Sequence, residues 1–297
     1  MILVDYSQVA LAAILTFQRE LKGTESEVKN LIRHVTLSTL KSYKKKYGKE
    51  YGEMVICCDG RKYWRKEFFE HYKGMRKSNR DKSDLNWTLI FDTLNEMRQD
   101  IQKNFPWKIL HADRAEADDI IAVLTKYCQE NELVQEGLVE ESQKILILSS
   151  DKDFKQLQLY PNVKQWSPMQ KKYVTATQKE ITEYKIEHIV KGDAGDGVPN
   201  ILSNDSVFMN AERQRPISAK RLQEFIDNGF IACRNDEERR NWHRNSTLVD
   251  FQFIPEDVNK LVIDTYLSSK PVGDKMTVMS YLIEHRCRLL LDELEDF

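Results

Sequence analysis

The chain has 297 residues, 41% of them hydrophobic and 31% charged, with 45 Lys and Arg against 47 Asp and Glu. That length allows one large or two modest domains with a sizeable core, and the near balance of charge leaves partners to be read from where charge is placed, not from its sum. Five cysteines lack CxxC or Cys/His zinc spacing, and no run approaches the roughly 20 apolar residues of a membrane span, so reduced thiols in a soluble cytoplasmic protein are expected, in the host cytoplasm if the source is a phage.

The first apolar run, Ile2-Leu3-Val4, ends in Asp5 and reads as a strand, which leaves no room before it for a cleaved signal peptide. A helical region is predicted over residues 7–45. A second apolar run, 54–58, ends in Asp59. A basic and aromatic stretch at 61–87, a helix over 89–105 and a short strand at 107–111 follow. Asp113 then opens a helix running to about 132, residues 133–143 read as a loop, and a third apolar run, 145–150, ends in Asp151. From 178 onward the pattern is helices joined by polar turns, at 179–190, 219–228, 236–242, 256–268 and 274–292. Strands alternating with helices predict an α/β parallel-sheet domain over 1–180, and the remainder predicts a mainly helical domain over 181–297, packed without a low-complexity linker.

Parallel strands buried on both faces point the same way and leave their carboxyl ends on one rim, so Asp5, Asp59 and Asp151 share an edge. Any one of them is explained by capping the next helix, but three together repel and need cations, and hard oxygen ligands select Mg²⁺ or Mn²⁺. Three further strings add acids. In DRAEADD, Asp113 suits a helix cap, whereas Glu116, Asp118 and Asp119 exceed what capping requires and are candidate metal ligands. SSDKDF holds Asp151 and Asp153 two residues apart, and GDAGDGVP puts Asp193 and Asp196 on a glycine-rich turn, where Gly195 and Gly197 allow close approach of a phosphate backbone. Without His or Cys among them, these acids suit two Mg²⁺ ions about 4 Å apart and phosphoryl transfer to water. Residues 61–82 hold nine basic residues, Arg65 and Arg80 among them, against three acidic ones, interleaved with Tyr63, Trp64, Phe68, Phe69 and Tyr72. Rings and cations in this pattern suit single-stranded nucleic acid. As an amphipathic helix, however, the stretch would bury Trp64, Phe68 and Phe69 and leave Lys73, Arg76 and Lys77 for substrate.

Taken in order, Asp5, Asp59, EADD, SSDKD and GDAGDGVP resemble the motif set of the structure-specific 5′ nucleases, which include flap endonucleases and the 5′ nuclease domains of bacterial polymerases. Within that family, SSDKDFKQLQLYPNVKQWSPMQKKYV and STLVDFQFIPEDV most resemble the ribonuclease H of T-even bacteriophages, over nearly the whole chain. The resemblance implies 5′→3′ exonuclease and flap endonuclease action on RNA–DNA and DNA–DNA duplexes, removing RNA primers from lagging-strand fragments in phage replication. It assigns Asp5, Asp59, Glu116, Asp118 and Asp151 to one ion and Asp153, Asp193 and Asp196 to the other. It makes residues 61–88 a helical arch, with Tyr72 stacking on a base and Lys73 and Arg76 on the scissile phosphate, and it makes the GDxxD turn the opening of a duplex-gripping helix-turn-helix unit. Two segments depart from the family pattern. VPNILSNDSVFMNAERQRPISAK stands where the family usually has VPGIxGIGxKxA, so the sequence does not predict the glycine hairpin or the monovalent ion often held there, and the chain is expected to lack the N-terminal extension for a phage sliding clamp. The terminal LLLDELEDF reads either as a docking segment for a clamp or single-strand-binding protein, or as the end of an amphipathic helix. A monomer is expected. The alternatives are a non-catalytic branched-DNA scaffold of the same fold and a compact toxin-type ribonuclease; an aspartate-nucleophile phosphatase is disfavoured because Asp5 is followed by Tyr6-Ser7.

Overall fold

Six strands form the central sheet of the computed structural model, which describes residues 1–131, 133–136 and 139–297, with their side chains except at 77, 79, 133–136 and 139–141. These strands are β1 (Ile2–Asp5), β2 (Met54–Cys58), β3 (Lys108–His111), β6 (Ile145–Leu148), β7 (Val163–Ser167) and β8 (Lys172–Val174), in the order β3-β2-β1-β6-β7-β8. The first five are parallel and β8 runs antiparallel along β7. The segment expected as a loop instead forms a separate antiparallel pair, β4 (Leu133–Glu136) and β5 (Val139–Ser142).

Alternate residues of the central strands feed two cores. Ile2, Val4, Ile56, Leu146 and Leu148 face one layer, and Leu3, Val55, Ile147 and Ile145 face the other. The apolar runs are therefore continuous because both faces are covered. Burying each such side chain contributes about 1.5–3 kcal/mol.

The first layer is made by α1 (Tyr6–Ile14), α2 (Glu25–Tyr51) and α5 (Trp87–Asn104). A Thr24–Glu27 capping box starts α2 afresh and divides the predicted 7–45 helix. Between β2 and α5 lie two five-residue helices, α3 (Trp64–Phe68) and α4 (Arg76–Arg80). The opposite layer holds α6 (Ala117–Glu130).

In the C-terminal half, α7 (Gln178–Lys191), α8 (Ala219–Asn228) and α9 (Asp236–Val249) enclose a small core of Val190, Ile201, Phe225 and Cys233. No described helix follows α7 until residue 219, so the expected helix-turn-helix has a long irregular connection. Side chains of α9 hold that connection. Asn245 Nδ2 donates to Ile189 O (2.7 Å) and Pro199 O (2.8 Å), Asn241 Nδ2 to Ile201 O (2.9 Å), and Arg244 Nη2 to Pro199 O (2.9 Å).

The remaining helices, α10 (Glu256–Ser268), α11 (Lys275–Glu284) and α12 (Arg288–Leu291), return to the sheet. Val258 and Val262 enter the core beneath α6, while Val278, Leu282 and Leu290 enter the core beside α2 and α5. The half-buried ring of Phe297 lies 5.6 Å from Phe105 and 5.7 Å from Trp107, while Glu293 and Glu295 of the terminal segment stay exposed.

Candidate metal centre and nucleic-acid interface

Parallel register sets Asp5 opposite Cys57, which brings Asp5, Asp59 and the residues after β6 to one rim. Asp5 serves both readings of its position. Its Oδ1 accepts from Gln8 N (3.2 Å) as the α1 cap, and its Oδ2 accepts from Ser149 Oγ (2.9 Å). Ser149 in turn accepts from Asp151 N (3.1 Å), so the serine before SDKD ties β1 to the Asp151 turn. Asp59 Oδ2 accepts from Ser7 Oγ (2.9 Å) and Oδ1 from Ala117 N (3.0 Å), which places its charge at the start of α6. Asp118 stands in the first turn of the same helix. Among the described residues, no ion pair neutralises Asp5, Asp59, Asp118 or Asp151.

The electrostatic cost of that crowding is visible in the titration of the acids. Burial first, then the Asp59 charge, pushes the Asp5 carboxyl up to about 7. Asp118 is pushed well above the usual carboxylate range by burial and by Asp5 and Asp151, and Asp151 is raised to about 6 by burial and Asp153. Oxygen donors that resist ionisation together fit a divalent cation. In the ion-free protein Asp5 and Asp151 hold protons over a range where the unfolded chain, at about 3.9, has released them. Stability therefore falls as pH rises from about 4 to about 7, and bound cations, which favour the ionised form, oppose the fall. Thermal melts in EDTA and in Mg²⁺ check this; a midpoint that climbs with pH in EDTA would contradict it.

A second group of acids meets a residue that the sequence reading missed. His188 of α7 lies with Nδ1 3.1 Å from Asp153 Oδ1 and Nε2 3.5 Å from Asp193 Oδ2. Tyr184, one turn earlier, donates to Asp153 Oδ1 (2.8 Å). Burial opposes charge on His188, but the two carboxylates outweigh it and raise the imidazole to about 10, while His188 first among its partners holds Asp193 below the usual range. Asp153, His188 and Asp193 are grouped closely enough to hold one ion. The available signal was helical spacing, since Tyr184 and His188 are four residues apart on one face just before the GDxxD turn. Asp118, Asp151, Asp153, Asp193, Asp196 and His188 share a cavity of about 190 Å³.

The basic stretch anchors to these acids from the other side. Lys73 pairs with Glu116 and lies 3.7 Å from Asp196, and Arg76 pairs with Asp196. Tyr72 is buried, with its hydroxyl 3.0 Å from both Glu116 Oε2 and Asp196 Oδ2. Phe69 and Tyr72 pack on Val198 and Leu248. In this structure, therefore, Tyr72 offers no ring face for a base. Arg65, expected at nucleic acid, is 3% exposed. Its Nη1 donates to Glu116 Oε2 (3.0 Å) and stands 2.7 Å from Asp119 Oδ1, and its Nε donates to Leu248 O (2.9 Å). The path of the chain around α3 turns this cation inward with Trp64 and Phe69, whereas Phe68, expected to be buried, is exposed. Arg80 lies over the Phe91 ring at 5.2 Å. The Lys77 side chain falls outside the described residues.

Three further expectations change. Asp113 is exposed and caps nothing among the described contacts; α6 begins at Ala117, with Glu116 as its N-cap, because Asp59 and Asp119 supply the acceptors there. Asp119 is fully buried and accepts from Trp64 Nε1 (3.1 Å) and Glu116 N (2.9 Å), so it braces the site and does not face the cavity. At the GDxxD turn, Gly195 N and Asp196 N donate to Asp193 Oδ1 (2.7 and 3.1 Å), which leaves neither free for a phosphate. The positive φ of Gly197 (73°) serves a close approach by the protein itself, since a Cβ there would sit 2.9 Å from His71 O.

Comparison with known proteins agrees with this arrangement. Residues 1–187 match the 5′–3′ exonuclease N-terminal resolvase-like domain, and residues 180–297 match the T4 RNase H C-terminal domain. The ribonuclease H of Enterobacteria phage T4 is 32% identical over 304 residues, covering 99% of this chain and 95% of that protein. Flap endonuclease Xni of Shewanella piezotolerans is 31% identical over 144 residues, covering 46% of this chain and 49% of its own. The T5 D15 protein crystallised with metal ions superposes with a TM-score of 0.62 at 16% identity, covering 90% of this chain and 98% of that one. A T5 D15 flap endonuclease complex with DNA and metal ions gives 0.61 at 16% identity, covering 90% and 97%. The mostly parallel sheet with an acidic rim defines a metal-dependent nuclease fold. This chain belongs to the structure-specific 5′ nuclease family and is a phosphodiester hydrolase. No described helix is long and apolar enough to cross a membrane.

Proposed function

We propose that the protein is a Mg²⁺-dependent 5′→3′ exonuclease and flap endonuclease that removes RNA primers from lagging-strand fragments during phage DNA replication, with Mn²⁺ able to substitute. The carrying observation is the convergence of Asp5, Asp118 and Asp151, raised by burial and mutual repulsion, on one rim. Similarity to a phage ribonuclease H along almost the whole chain supports the RNA–DNA substrate, and the likeness to a flap endonuclease solved with DNA and metal ions supports a branched duplex.

In this reading Asp5, Asp59, Asp118 and Asp151 hold one ion, with Glu116 behind them, and Asp153, Asp193 and Asp196 hold the other beside His188. A bound pair of such ions supplies a water of lowered pKa and charge stabilisation at the leaving oxygen. The chain's own part is to orient Asp59 through Ser7 and Ala117 N and Asp5 through Ser149, and to bring Lys73 and Arg76 to the scissile phosphate. Lys73 pairs with Glu116 and Arg76 with Asp196, so a substrate phosphate competes with those carboxylates for both cations. The irregular segment braced by α9 holds the downstream duplex, and the protein works as a monomer. Its partners include a clamp or single-strand-binding protein.

Cleavage of a 5′-labelled flap and of a nicked RNA–DNA hybrid is expected with Mg²⁺ and is expected to stop in EDTA. Tight binding of either substrate without product in Mg²⁺ or Mn²⁺ would instead favour the non-catalytic scaffold.

A further inference from the structure

One side chain in the second acidic group breaks the all-oxygen pattern. His188 lines the same cavity of about 190 Å³ as Asp153, Asp193 and Asp196, and its two ring nitrogens have different neighbours. Nδ1 lies 3.0 Å from the Tyr184 hydroxyl and 3.1 Å from Asp153 Oδ1, and that hydroxyl also donates to Asp153 Oδ1 (2.8 Å). Nε2 lies 3.5 Å from Asp193 Oδ2, whereas Asp193 Oδ1 already accepts from the amides of Gly195 and Asp196. Two atoms bound to one ion at about 2.1 Å stand about 3.0 Å apart at a right angle and about 3.4 Å apart at a tetrahedral one, so Nε2 and Oδ2 are spaced as a ligand pair. The other side of the ring fits as well. A histidine that binds a metal through one nitrogen characteristically donates its other N–H to a carboxylate, which fixes the tautomer. Asp153, itself held by Tyr184, supplies that carboxylate.

We propose that His188, through Nε2, is a nitrogen ligand of the second metal site and makes that site select Co²⁺, Ni²⁺ or Zn²⁺ over Mg²⁺. This rests on the two-ion reading above. Mg²⁺ keeps oxygen ligands and water, whereas imidazole suits the later divalent ions, whose affinity for a nitrogen-containing site rises from Mn²⁺ toward Cu²⁺. Asp5, Asp59, Asp118 and Asp151 offer oxygen donors alone, so the rim retains its preference for Mg²⁺. Binding at Nε2 exchanges its proton for the ion, and the proton passes to solvent. The two sites thus differ in the ion they hold, and the difference comes from one side chain of α7.

The test adds CoCl₂ to the full chain and records its proton magnetic resonance spectrum, because an imidazole bound to Co²⁺ through Nε2 shifts its Nδ1–H far downfield. Wild type is expected to show such a signal and, by calorimetry, to bind Co²⁺ at least about tenfold more tightly than Mg²⁺. His188→Gln should erase the signal and weaken Co²⁺ binding by about tenfold or more, with Mg²⁺ binding changed less than about threefold. Asp193→Asn, at a partly exposed position, should also erase it and serves in place of His188→Gln if that variant does not fold. Asp151→Asn, at the other ion, should keep it. No shifted signal in wild type, its survival in His188→Gln or Asp193→Asn, its loss in Asp151→Asn, or equal weakening of both ions overturns the assignment. If wild type shows the signal yet cleaves neither substrate in Mg²⁺ or Mn²⁺, the nuclease reading fails and the site stands; cleavage without the signal gives the reverse.

Discussion

Replacing Asp118 or Asp151 with asparagine is expected to lower single-turnover cleavage of a 5′-labelled flap by about 10³-fold or more, with duplex binding changed by less than about threefold. Asparagine keeps the shape and removes the charge. At Asp118 that charge is costly without a cation, because burial and the neighbouring Asp5 and Asp151 push its carboxyl well above the usual range. The same substitution should therefore raise the melting midpoint in EDTA while reducing the stabilisation gained from added Mg²⁺. A residue that served only the fold would show neither pattern. Retained turnover in both variants would end the assignment.

The second large effect is expected at Arg65, on stability and not on substrate. Arg65→Ala leaves Glu116 and Asp119, 1% and 0% exposed, without their shared guanidinium. Breaking a buried pair from one side costs about 3–5 kcal/mol, which is a large part of a typical domain's total. Lysine in its place restores one charge but cannot reach both acids and Leu248 O together, so Arg65→Lys should fall between. Urea unfolding read by circular dichroism checks the order wild type, Lys, Ala. If Arg65→Ala unfolds like wild type yet binds duplex poorly, Arg65 is a substrate residue after all.

Legibility differed from element to element for physical reasons. Strands β1, β2 and β6 were plain because burial on two faces demands uninterrupted apolar runs, and parallel pairing then fixes where their terminal acids go. The start of α6 was misplaced by three residues because Asp113 satisfies local capping rules. The acceptor that caps the helix, Asp59, is 58 residues away from the amide of Ala117 that it receives. Arg65 and Tyr72 carry the composition of a binding surface, and only the three-dimensional path of 61–76 turns them toward Glu116. His188 is hard to read for the opposite reason. Its four-residue spacing from Tyr184 is its one local mark, and its role depends on two carboxylates that approach it from different loops.

The return of α10–α12 to the sheet has a consequence for how the chain divides. The two family matches meet near residue 180, but that border runs through sequence and not through the hydrophobic interior, to which Val258, Val262, Val278 and Leu282 contribute. A fragment ending at the border would expose the floor of both layers to water. The segment from α7 to α9 is thus an excursion, leaving the sheet after β8 and rejoining it through α10, anchored to the same interior at both ends.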